Sequence, residues 1–481
     1  MSLNADYPPE FAALILAARS GARLYPLTSQ SNPKHLLPVA GISIIVRQLH
    51  VLAACNFSDC VIAVACDDVS TSASLKCVDE MKQRSTSCFT FKGSLKITLH
   101  QLPEDCSGSV QALRDVEDTF VFAPASHVVV IPGDLVITDK VVLEQLANMH
   151  RQGYMGPTKT ACSVLLADVG EQDENGVPLK ESAKAKKNGL SRDEDQIEYI
   201  ALSIEHNSAP RVVWKQSKID VEDDEDMVGT SPKLVLPKAR LRGGSSTRVR
   251  TDYHDVHLYI LSPWVRQLCG ARPSLVSIKG DLIPLLVDSQ FHGVESAFGD
   301  QEEAKVIYQQ NFPTHTNGDD VTEILVKDNH VFAVRAQVVS ATSALRACTV
   351  PSYLVACREI ATLGLADSRK GVNPCLFFPT GAVLNAKFNS VIMKGAEVGE
   401  KNLIKSSVLE TGTKLGAKCK LNNAVVMSNT TIGENVILQN AVVGEGCIIG
   451  ENCSLSYVRI ARGKVIAPGT KEKGDLSMDD I

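Results

Sequence analysis

A chain of 481 residues is too long for one hydrophobic core and predicts two or three domains. With 44% apolar residues, 22% charged residues and a net charge of -6, it has the composition of a soluble globular protein, without the basic surface that general nucleic-acid binding needs. The N-terminal MSLNADYPPEFAALIL has no basic stretch and no cleavage-site pattern, and its apolar run from Phe11 to Ala18 is too short to span a bilayer, so a cytosolic (cytoplasmic) protein is expected.

The first 170 residues alternate short apolar runs with helical patterns: FAALILAA, SIIVRQLHVLAAC, CVIAVAC, LKITLH, SVQALRDVED, HVVVIPGD and DKVVLEQLANMHRQ. This alternation predicts an α/β domain, Rossmann-like, whose mixed, mostly parallel sheet is covered by helices on both faces. Ser43 and Asp139 are expected N-caps, since a short side-chain oxygen can accept from the unpaired amides of a first turn. The sheet continues through TACSVLLAD, IEYIALSIEH, PRVVWKQ and HDVHLYILS, giving a first domain over residues 1–296. Charged insertions near 171–196 and 221–227 read as solvated loops. Residues 297–371 read as a connector followed by mixed strand and helix. The 14 cysteines are spread along the chain and mostly sit in apolar runs, as Cys66 and Cys162 do. They are expected to be buried free thiols, and with no CxxC pair no zinc or other metal site is inferred.

From about residue 372 the texture changes. Aliphatic-Gly steps recur at Val398-Gly399, Leu415-Gly416, Ile432-Gly433, Val443-Gly444 and Ile449-Gly450, with Ile404, Leu421, Ile437 and Leu455 between them. The spacings are near multiples of six, as expected of a left-handed parallel β-helix of hexapeptide repeats over residues 372–470, closed by an acidic tail at 471–481. The faces of such a solenoid must be covered, so oligomerisation is expected.

The stretch LAARSGARLYPLT, residues 16–28, followed by PKHLLPVAG from Pro33, resembles the loop of the nucleotidyltransferases that join a nucleoside triphosphate to a sugar phosphate. In that family the loop amides hold phosphates, the arginine draws charge from the leaving pyrophosphate, and the lysine reaches the phosphates from the other side. Gly21, Arg23, Pro33 and Lys34 match, whereas Arg19 and Ala22 depart from the pattern. Gly108-Ser109-Val110-Gln111-Ala112-Leu113 is similar to the base-selecting stretch, and Gly133-Asp134 stands where the family places a metal-binding aspartate. The resemblance thus implies a vestigial nucleotide site of Gly21, Arg23, Lys34, Gly108 and Asp134, with GTP as its ligand and no required cofactor. The sugar-phosphate positions are lost: only VVWKQS stands where Glu-Lys-Pro should follow, and the family's asparagine is Asp255 in Asp255-Val256-His257-Leu258-Tyr259. A divergent mannose-1-phosphate guanylyltransferase (a GDP-mannose pyrophosphorylase) or its inactive regulatory paralogue remains the alternative.

An eroded nucleotidyltransferase-like domain followed by a β-helix is similar to the gamma and epsilon subunits of eukaryotic translation initiation factor 2B. DLVITDKVVLEQLANMHRQ, TDYHDVHLYILSPWV and SIKGDLIPLLVDSQF resemble the gamma subunit in particular. The chain ends at GTKEKGDLSMDDI, where the epsilon subunit continues into a helical catalytic domain. The resemblance implies a non-catalytic or co-catalytic subunit of a guanine-nucleotide exchange factor, with no catalytic residues of its own. It would pair directly with the epsilon subunit, join the alpha, beta and delta subunits in a decamer, and act on translation initiation factor 2, without contacting membrane or nucleic acid.

Overall fold

The computed structural model describes residues 10–19, 21–84, 95–119, 122–170, 196–204, 209–220, 246–292, 306–307, 310–311, 332–369, 382–385 and 388–478. The insertion at 171–196, apart from Gln196, and that at 221–227 lie outside the described residues.

The N-terminal domain is built on a ten-stranded sheet. Its strands are β1 (Phe11–Leu16), β2 (Asp59–Val64), β3 (Lys96–Gln101), β4 (His127–Pro132) and β5 (Lys159–Asp168), then β6 (Glu198–Ile204), β7 (Arg211–Ser217), β8 (Ser246–Arg250), β9 (Tyr253–Leu261) and β10 (Phe332–Ser340). Their spatial order is β8-β6-β7-β10-β5-β9-β4-β1-β2-β3. The β4-β1-β2-β3 end is parallel, as the β-α-β alternation requires, while β9 runs antiparallel to both β4 and β5. One face packs on α1 (Ile44–Ala54), α2 (Asp68–Arg84) and α4 (Lys140–Met155), through residues such as Leu49, Val78 and Leu143. The other packs on α3 (Ser109–Thr119), α5 (Pro263–Ala271) and α6 (Ile283–His292), through Leu113, Trp264 and Leu286. This is the layered α/β fold that the apolar runs predict.

Some local expectations are met and others shift. Asp139 caps α4, accepting from the Val141 amide at 2.9 Å. Ser43 precedes α1 but makes no side-chain cap, and its hydroxyl lies 3.3 Å from the Cys77 sulfur. Phe332–Ser340, read as the start of the mixed strand and helix that follows the connector, is an interior strand running parallel to β5. The sheet therefore draws on chain beyond residue 296. The described cysteines are free, although Cys66 is exposed.

The C-terminal part is a parallel β-helix. One side carries the ladder Lys414-Leu415, Thr431-Ile432, Ile448-Ile449 and Val465-Ile466. Residues in the left-handed region mark its corners, in the series Gly412, Asn429, Gly446, Gly463 and Lys401, Lys418, Asn435, Asn452, and again at Ser406, Asn423, Asn440, Tyr457. Each series repeats every 17 residues, and Asn423 Nδ2 donates to the Asn440 side-chain Oδ1 across that interval at 2.7 Å. A coil is thus two sides of six residues and one of five, which is why the Gly steps fall only near multiples of six. The short side also shifts the pattern: Ile437 is 38% exposed and its neighbour Leu438 fills the core. Val398 on the first coil is likewise exposed. Lys471–Met478, read as the start of an acidic tail, is a strand paired in parallel with Ser454–Ile460.

Coils stack so closely that an ideal Cβ on Gly416 would lie 2.6 Å from the Gly433 carbonyl oxygen. Gly416→Ala is expected to force the backbones apart at a cost of about 1–3 kcal/mol. A thermal melt followed by circular dichroism should show a lower β-helix transition, and an unchanged transition would count against this packing.

Helix α7 (Val350–Arg369) joins the two domains. Its Tyr353, Leu354 and Ile360 pack against Leu24, Leu37 and Ile44 of the first domain and against Val391, Val408, Val425 and Val442 of the β-helix. These four valines repeat at the coil interval, so one face of the solenoid is covered by the chain itself. The Tyr353 hydroxyl donates to the Pro38 carbonyl, and Arg459 to that of Tyr25, tying the same junction.

Candidate functional site

A cleft of about 1220 Å³ opens at the C-terminal ends of β1 and β4, the place where parallel α/β sheets bind ligands. Gly21, Arg23, Lys34, Gly108 and Asp134, separate in sequence, all line it. β1 runs out at Leu16 into the loop, where Gly21 takes φ 82° and its carbonyl accepts from the Thr28 hydroxyl at 3.0 Å. The turn at Ala22–Leu24 sinks Leu24 into the core and leaves Arg23 exposed on the cleft wall, with Arg19 and Ala22 beside it. Pro33 opens the next turn, which carries Lys34 beneath Gly21. Gly108 serves the protein's own backbone: a Cβ there would sit 2.2 Å from the Val276 carbonyl oxygen, which accepts from the Val110 amide at 2.8 Å.

Asp134 follows β4 and is fully buried. Lys34 Nζ lies 2.8 Å from its Oδ2, while Arg346 places Nε 3.1 Å from Oδ1 and Nη2 2.9 Å from Oδ2. Burial alone would raise the Asp134 pKa, but the two cations hold the carboxyl well below the usual carboxylate range. Arg346 is fixed by its strand: Ala344–Arg346 pairs antiparallel with Leu135–Ile137, and the Ala347 amide donates to the Asp134 carbonyl at 2.8 Å. Its Nη1 faces the His257 ring nitrogens at 3.2 Å. Burial first, and then Arg346, keep that imidazole neutral.

A second buried charge group forms the opposite floor. Lys215 Nζ lies 2.8 Å from Asp255 Oδ2 and 3.1 Å from Glu198 Oε1. Lys279 reaches Glu198 at 3.4 Å, the Tyr259 hydroxyl donates to Asp255 Oδ2 at 2.8 Å, and the His257 amide donates to Asp255 Oδ1 at 2.8 Å. Burial opposes the charge on Lys215, yet Asp255 and Glu198 raise its pKa above the ordinary lysine value. Conversely, Lys215, with Lys279, overcomes burial to hold Asp255 low.

The residues present do not fit a divalent cation at Asp134, because both carboxylate oxygens already accept from cationic side chains. Among the described residues no three His, Cys, Asp or Glu side chains come together as a metal group. Reading the sequence missed Arg346, which lies 212 residues from its partner within an apolar stretch. It also missed the roles of Lys215, Glu198 and Lys279, which only the sheet brings together.

Comparison with known proteins bears on both domains. The nucleotidyl transferase family matches residues 12–183, and the GMPPB C-terminal domain matches residues 386–468. A relative from Schizosaccharomyces pombe, translation initiation factor eIF2B subunit gamma, is 24% identical over 294 residues. The chain is similar to this gamma subunit. The match takes in 59% of the present chain and 52% of the relative, so the chain spans about half the length of the curated gamma subunit it matches. The first domain therefore has the nucleotidyltransferase fold of its matching family, and the C-terminal part is the β-helix. Among the described residues no helix is long and apolar enough to cross a membrane.

Proposed function

We propose that this chain is a non-catalytic, gamma-type subunit of the exchange factor for translation initiation factor 2, assembled in the cytosol on an epsilon-type partner. The observation that carries the reading is the internal neutralisation of the cleft. Asp134, where a nucleotidyltransferase would present charge to a metal, is occupied by Lys34 and Arg346, and Asp255, where that family has an asparagine, is occupied by Lys215. A transferase needs groups that strengthen their hold as charge develops on the reacting phosphate. Carboxylates already committed to buried cations have no such freedom. The similarity to the eIF2B gamma subunit supplies the biological setting. The alpha, beta and delta subunits would complete the assembly, with GTP as the nucleotide class for the cleft residues Gly21, Arg23 and Lys34.

The match to the GMPPB C-terminal domain favours a second reading, a guanylyltransferase acting on mannose 1-phosphate or its inactive paralogue. The full chain, purified alone and supplied with GTP, Mg²⁺ and mannose 1-phosphate, is expected to form no GDP-mannose. Tagged in cells, it should co-purify with initiation-factor subunits identified by mass spectrometry. Robust GDP-mannose synthesis would establish the second reading, and capture of a sugar-nucleotide enzyme without initiation factors would favour the paralogue.

A further inference from the structure

The charge that a divalent ion would supply at the strand-end carboxylate is already present in the protein. We infer that Arg346 permanently fills the cation position at Asp134, so that this cleft excludes divalent metal and is left to ligands that enter without one.

Three observations support this. The contact is a two-point fork, Nε to Oδ1 and Nη2 to Oδ2 at 3.1 and 2.9 Å, which leaves Lys34 as the third donor at 2.8 Å. A planar guanidinium matches a carboxylate in this way and holds it more rigidly than a lysine can. The arginine is also placed by backbone. Arg346 sits opposite Leu135 in a two-stranded pairing, and the following amide is bonded to the carbonyl of Asp134 itself. This pairing sets the Arg346 Cα beside the carboxylate, on a strand that leads directly into α7. Finally, the far side of the guanidinium faces His257, whose backbone amide is anchored on Asp255. A metal ion displacing Arg346 would leave a buried cation without its counter-charge, which is strongly unfavourable.

The other buried acids at this floor are also committed to cations. Glu198 and Asp255 both face Lys215, and Glu198 faces Lys279 as well. This inference is independent of the translation assignment, since it concerns what the cleft admits and not what the subunit assembles with.

Mn²⁺ alone, added to the full-length protein, provides the test. Wild-type crystals soaked in Mn²⁺ should show no anomalous peak at coordinating distance from Asp134, and a peak there overturns the inference. Arg346→Gln should unmask the carboxylate, and electron paramagnetic resonance should then detect a bound Mn²⁺ that is absent in the wild type and lost again in the Arg346→Gln, Asp134→Asn double variant. A folded Arg346→Gln protein that gains no bound Mn²⁺ also overturns it. If that variant does not fold, the wild-type soak decides the matter.

Discussion

Replacing Lys215 with alanine is expected to lower the free energy of unfolding of the first domain by about 3–5 kcal/mol, the range found when one partner of a buried ion pair is removed. The ammonium group is buried between Glu198 and Asp255, which are themselves almost wholly excluded from water. Its loss leaves two carboxylates facing each other with Lys279 touching only Glu198. Both acids would have to protonate or draw in water, and either outcome costs folding energy. The Lys215→Met, Glu198→Gln, Asp255→Asn triple variant removes the charges together and is expected to recover most of the loss. Denaturant unfolding followed by tryptophan fluorescence reads the difference directly, since Trp214 precedes Lys215 on β7. A loss below about 1 kcal/mol for Lys215→Ala would show that water or a bound group already screens these acids, and would weaken the view of the cleft floor as a closed set of charges.

How much of this was legible in the sequence depends on the range of the interactions concerned. The alternation of apolar runs gives β1 to β5 and their helices because burial on both sheet faces leaves a local record. The β-helix is legible for the same reason, its inward aliphatics recurring with each coil. What fails is registration within a coil: a five-residue side shifts the pattern by one position, and one position reverses the direction of a strand side chain, as at Ile437 and Leu438. The loop at Gly21, Arg23 and Lys34 is local and was found. Gly108 was found too, yet the structure uses its missing Cβ for the Val276 backbone. Arg346 was not legible, because nothing in ALRACTV distinguishes a cleft arginine from a surface one until strand pairing brings it beside Leu135. The entry of Phe332–Ser340 between β5 and β7 is a long-range choice of the same kind.

Acidification from pH 7 to pH 5 is expected to destabilise the first domain by about 6 kcal/mol through His35, His50 and His127 alone, with the buried neutral His150 and His257 acting in the same direction. His35, His50 and His127 are each held down to about 4 from the ordinary 6.5, in every case chiefly by burial. Lys34 adds to the effect on His35 and Arg47 to that on His50; at His127, Glu10 opposes burial while Arg266 and Arg151 reinforce it. Their contacts fit the neutral state: His35 Nε2 pairs with the Ser74 hydroxyl at 2.8 Å, and His127 Nδ1 faces His150 Nε2 at 3.1 Å, where a shared proton serves but two do not. Because the folded pKa lies below the unfolded one, the unfolded chain takes up protons first as the pH falls. Stability is therefore intact above 6.5 and drains away between 6.5 and 4, by about 2 kcal/mol per histidine at pH 5. Glu410 works in the opposite direction. Burial at the domain junction raises it to about 7, against hydrogen bonds from Ser428 and Gly41 that favour its charged form. Its protonated form is the one the fold prefers, so it resists acid over the same interval, but one carboxyl is set against five imidazoles. Thermal melts at pH 7, 6 and 5 should show the first-domain transition falling steeply, and His127→Gln should flatten the slope. A transition temperature that holds constant over this range would mean that water reaches these rings and that the packing around β1, β4 and α4 is looser than described.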